Sequence, residues 1–85
     1  MAFYKTPDEM FIHRVNSYLK TYKEAKNKGD LKKMQKALEG IEDNFMRISK
    51  YSDEWKAKCS LDENENYSEF ERKEAFEKFK KLYID

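Results

Sequence analysis

Between Asp30 and Ser60 the residues Leu31, Met34, Leu38, Ile41, Phe45, Ile48, Ser52, Trp55 and Cys59 follow one another at alternating steps of three and four. That rhythm sets all of them on one narrow stripe of an α-helix, so the segment reads as one long helix or as two helices that keep the same inward side. Ser52 is the single polar member, and Ser52-Asp53-Glu54 has the form of a helix start, a capping hydroxyl followed by acids. An unbroken helix from Leu31 to Cys59 would be about 44 Å long. A compact chain of 85 residues is only about 30 Å across. Length therefore favours a break near Ser52. Without one, Trp55 and Cys59 need a later helix or another chain to cover them.

The flanking segments supply cover for the stripe. Thr6 can cap a helix that has Pro7 at its first position, Asp8 and Glu9 at its positive end, and a Thr6-x-x-Glu9 capping box. Its apolar face is Phe11, Val15, Tyr18, Tyr22 and Ala25, widened by Ile12 and Leu19. Lys26-Asn27-Lys28-Gly29 closes it, and Asp30 caps the next helix, which makes Gly29-Asp30 a compact corner between antiparallel neighbours. Gly40 does not shift the apolar phase and reads as a tolerated small residue, at a cost of about 1 kcal/mol relative to alanine. Residues 60–67 are acidic and lack rhythm, as a solvated loop would. A last helix opens on Asn66 or Ser68, with Ser68-x-x-Glu71 as a second capping box. Its face is Phe70, Ala75, Phe76, Phe79, Leu82 and Tyr83, with Glu74 and Lys78 paired outside and Ile84 and Asp85 fraying. The expected fold is all-α: one domain, a small antiparallel bundle of three helices, or four if the second breaks near Ser52. Residues 1–5 are expected to form a frayed arm.

Few kinds of chemistry are open to such a chain. Cys59 is the only cysteine and His13 the only histidine, so neither an internal disulfide nor a zinc site can be assembled. The two glycines, Gly29 and Gly40, cannot make a phosphate-cradling loop. The acids between Asp62 and Glu77 lack the order of a calcium loop. No nucleophile with a base and orienting partner is apparent, and the expectation is a protein that is not an enzyme and carries no cofactor or metal. His13 falls opposite the apolar face and reads as a surface side chain, whereas Cys59 reads as a buried thiol. No stretch has the apolar length of a membrane span or signal peptide, which fits a reducing cytoplasmic setting and no membrane contact.

Charge and aromatic content carry what functional signal there is. Net charge is only +1, but Lys20 to Lys36 holds seven lysines against two acids, and Asp62 to Glu77 holds seven acids against Arg72 and Lys73. Lys23, Lys26, Lys28, Lys32, Lys33 and Lys36 surround the Gly29-Asp30 corner, where they could grip a polyanion or an acidic protein surface. Lysine outnumbers arginine fifteen to three, and reading base edges favours arginine forks. Thirteen aromatics are many for one small core, which points to Tyr51, Trp55 and Tyr67 as a face for a partner. The leading expectation is a small helical protein-protein interaction module, an adaptor, inhibitor or accessory factor, with self-association in view. The alternative is a non-specific nucleic-acid-binding protein that uses the lysine-rich corner.

Overall fold

The computed structural model describes residues 6–61 and 66–85. The expected arm at 1–5 and the centre of the acidic loop lie outside the described residues. Among the described residues four helices run in the order α1 (Pro7–Lys28), α2 (Leu31–Arg47), α3 (Asp53–Lys58) and α4 (Glu69–Tyr83). The chain is a small all-α bundle with a radius of gyration of 13.1 Å.

Local chemistry sets most boundaries. Thr6 accepts the Glu9 amide at 3.2 Å, and Gly29 ends α1 in the left-handed conformation at φ 72°, which costs glycine nothing. Asp30 accepts the Lys33 amide, and Ser52 accepts that of Trp55. Ser68 and Glu71 exchange both bonds of a capping box. Ser68, and not Asn66, is therefore the cap of α4.

The break in the long stripe begins earlier than Ser52. Helix α2 stops at Arg47, residues 48–52 are extended or bent, and Ser52 caps α3. Leaving the helix frees backbone groups that must find partners, and distant side chains provide them. The Asp8 carboxylate, in the first turn of α1, accepts the amides of Ser49 at 2.9 Å and Lys50 at 3.1 Å. From α4, Arg72 Nη1 donates to the carbonyls of Met46, at 3.2 Å, and Ile48. It also reaches the Tyr51 hydroxyl at 3.3 Å, while Nε donates to the Tyr67 carbonyl at 3.4 Å. Tyr51 in turn donates to the Phe45 carbonyl at 2.8 Å. Contact between the start of α1 and the end of α2 also fixes the pair as an antiparallel hairpin.

Phe45, fully buried, is the hub of the core. Its ring centroid lies 4.9 Å from Tyr51, 5.0 Å from Phe79, 5.4 Å from Phe76 and 5.9 Å from Trp55. Val15 and Leu19 from α1 and Ile41 from α2 complete it, with Ile48, Cys59, Tyr67, Ala75 and Ile84. The hairpin continues beyond this cluster on small residues: Ala25 and Ala37 are buried outside it. Gly40 lies beneath the Tyr18 ring, and a Cβ there would come within 2.7 Å of it. Asn44, buried beside the hairpin contact, satisfies its amide on the Gly40 carbonyl at 2.7 Å.

Several expected core positions turn outward. Tyr18, Leu31, Phe70 and Leu82 are exposed. Leu31 and Phe70 stand in the first turns of their helices, ahead of where a neighbour begins to cover them. Ile84 does not fray: it is buried, and its amide and that of Asp85 both close on the Lys80 carbonyl. Exposed ion pairs among the described residues include Arg47 with Asp43, Lys58 with Glu54, and Lys73 with Glu69. Glu74 and Lys78 instead line a small cleft beside Cys59.

Candidate binding surface

The aromatic face expected at Tyr51, Trp55 and Tyr67 is corrected by their burial, since the three are 2%, 4% and 8% exposed. The non-helical joint at 48–52 lets α3 turn back, so that Trp55 meets Phe79 edge-on at 5.2 Å. Tyr51 packs against Tyr67 with the rings tilted by 58° and their centroids 5.6 Å apart. Burial pushes the Tyr51 hydroxyl up to about 12, against the opposing pull of Arg72. These rings spend their area inside the chain. Trp55 also lines a cleft.

Cys59 is buried, and burial raises its thiol above the usual range, with Lys78 opposing. A thiol kept protonated in this way is a poor nucleophile at neutral pH. His13 is exposed, with Nε2 3.5 Å from the Ser17 hydroxyl one turn on.

The lysine-rich corner is a surface feature throughout. Lys23, Lys26, Lys28, Lys32, Lys33 and Lys36 are all exposed, and among the described residues none has a carboxylate within ion-pair distance. Lys26 and Lys28 stand in the last turn of α1, Lys32 and Lys33 in the first turn of α2, and two residues join them. Lys26 is placed seven residues after Leu19 and four after Tyr22, on the side of α1 that meets the core lower down, yet it is exposed. The end of the hairpin thus projects past its apolar support.

Past the Asp30 cap, whose carboxylate suits the helix dipole, the first turn of α2 runs against it. Helices α1, α3 and α4 each begin with two acids, but α2 begins Leu31-Lys32-Lys33 with no acid in its first turn. Cations at a helix N-terminus are unfavourable by about 0.3–1 kcal/mol each. Leu31, 75% exposed, sits among these lysines.

A second feature, not legible in the sequence, adjoins the corner. Leu19, Lys20 and Lys23 on α1, Glu54 and Trp55 on α3, and Tyr83 on α4 line an open cleft of about 420 Å³. Glu54 Oε1 takes a bond from Lys58 Nζ at 3.0 Å and one from the Tyr83 hydroxyl at 3.4 Å. The Lys58 ammonium, and after it the Tyr83 bond, hold the Glu54 carboxyl below the usual carboxylate range.

No family model, curated protein or solved structure matches this chain. No described helix is long and apolar enough to cross a membrane.

Proposed function

We propose that the protein is a small helical interaction module that docks through the α1–α2 corner onto an acidic surface of another protein. The observation that carries this reading is the first turn of α2, where two unpaired lysines and an exposed leucine stand at a helix end that electrostatics would rather give to acids. Stability is given up there for positive charge that nothing in the described chain uses. Leu31 favours a protein over a nucleic acid, because a phosphate backbone gains nothing from an aliphatic side chain, whereas a protein surface can bury it. An adaptor, an inhibitor or an accessory factor works by such a surface, and a second copy of the chain is one acidic partner within this reading.

The test is the double reversal Lys32→Glu/Lys33→Glu. Acids at that helix end suit the dipole, so the variant is expected to melt higher, by about 1 kcal/mol in stability. It is also expected to lose binding to poly-glutamate measured by calorimetry at about 20 mM salt, where the screening length is long. Parent protein that binds neither poly-glutamate nor duplex DNA under these conditions would remove the corner from consideration. A gel shift of duplex DNA that survives about 150 mM salt, weaker in the reversed variant, would transfer the corner to nucleic-acid binding.

A further inference from the structure

We infer that the cleft between α1 and the α3–α4 pair seats an apolar side chain of an acidic peptide segment, whose carboxylates run along Lys20, Lys23 and Lys26 towards the corner. The inference rests on the docking reading above and gives it a partner chemistry. At about 420 Å³, the open cleft has room for one side chain. Its apolar lining is the remaining edge of Leu19 and Trp55 and the half-buried Tyr83. None of these can move away cheaply, because Leu19 and Trp55 belong to the core and Tyr83 packs on Phe79 at 4.6 Å.

Charge decides what kind of ligand fits. The one acid on the cleft wall, Glu54, is already matched by Lys58 and bonded by Tyr83. Lys20 and Lys23, on the opposite wall, have no carboxylate partner among the described residues. The uncompensated charge at the cleft is therefore positive, beside an apolar floor. Lys20, Lys23 and Lys26 succeed one another at steps of three, which on a helix makes a slanting ridge about 9 Å long. An extended peptide covers that length with about three residues. The occupant is a segment with an aliphatic or aromatic side chain followed directly by three or four acids.

Trp55 is the only tryptophan of the chain, so its fluorescence reports on the cleft without a label. Two capped peptides serve as probes, one with leucine and one with alanine before four glutamates, both free of tryptophan and tyrosine. Calorimetry at about 20 mM salt is expected to give the leucine peptide about tenfold tighter binding, as a partly buried aliphatic side chain provides. Saturation with it is expected to shift Trp55 emission. The Lys20→Glu/Lys23→Glu variant should keep its helical circular dichroism and lose at least tenfold in affinity for the leucine peptide. Equal affinities for the two peptides with unmoved Trp55 emission would overturn the cleft, while leaving the corner intact provided Lys32→Glu/Lys33→Glu still abolishes both. Binding of neither peptide would overturn cleft and corner together. Emission that shifts with protein concentration in the absence of peptide would assign the cleft to a second copy of the chain and refute the peptide as its occupant.

Discussion

Removing the Arg72 guanidinium should be the most damaging single change outside the ring core. Its nitrogens serve the carbonyls of Met46 and Ile48 at the end of α2, the Tyr67 carbonyl and the Tyr51 hydroxyl. Hydrogen bonds to charged groups contribute about 1.5–3 kcal/mol each, but three of these four are 3.2 Å or longer. They also share one cation, so their effects do not add in full. About 3 kcal/mol for Arg72→Met is a fair sum, against a total stability of about 4–13 kcal/mol for a chain of this size. The midpoint of thermal unfolding should fall by about 15 °C. Arg72→Lys keeps the charge but offers one point donor in place of a fork, and should recover only about a third of the loss. Lys73→Met removes the same charge one residue along, from an exposed position paired with Glu69 at 3.7 Å, and should stay within about 0.5 kcal/mol of the parent. Urea titrations followed by circular dichroism and by Trp55 fluorescence give the comparison. Arg72→Met indistinguishable from Lys73→Met would refute the claim that this cation holds the α2–α3 joint.

Three other outcomes follow from the same contacts. Tyr51 has its proton held in the fold, with the hydroxyl pushed from 10.0 up to about 12. Its contribution is thus fully present below pH 10 and lost as pH rises through 12, amounting to about 3 kcal/mol. Tyr51→Phe should cost about 1 kcal/mol at neutral pH and show less of that alkaline decline, as paired denaturant titrations at pH 8 and pH 11 would reveal. Asp8→Ala leaves the Ser49 and Lys50 amides without their acceptor and should cost about 1–2 kcal/mol, with faster amide exchange at those two positions than elsewhere. Gly40→Ala should be close to neutral, because about 1 kcal/mol of helix propensity is offset by displacing the Tyr18 ring. In a Tyr18→Ala background the same change should stabilise by about 1 kcal/mol, and a double-mutant cycle measures the difference.

Which parts of this fold were open to reading from the sequence follows from the range of the forces involved. The caps at Thr6, Asp30, Ser52 and Ser68 and the glycine turn at Gly29 act within a few residues, so their side chains announce them. The exit from α2 after Arg47 does not announce itself, because Ile48 keeps the apolar phase. It is held by Asp8 and Arg72, which lie 41 and 24 residues from their partners at Ser49 and Ile48. The aromatic surplus misled for a related reason. A short α3 and a bent joint wrap Tyr51 and Trp55 around Phe45, room that a count of rings against chain length does not foresee. Lysine exposure at the corner was legible, since charge rarely leaves water. The cleft was not, because its walls come from three helices and no local pattern marks their meeting.

Folding and the lysine corner are assigned to opposite ends of α2, with the proposed cleft bordering the core. Fourteen residues separate Leu31 from Phe45, about 21 Å along the helix, and sites that far apart with no shared partner perturb stability independently. The ring cluster and the Asp8 and Arg72 contacts fasten the Phe45 end, where α1, α3 and α4 all converge. The Leu31 end is held by two caps and by the buried Ala25 and Ala37, small residues that leave the outside of the hairpin to lysine. A surface supported in this way can change its charges without endangering the core. The dipole-opposed start of α2 is then the position where a binding requirement and a stability requirement pull in opposite directions, and where substitutions that favour acid should trade one for the other.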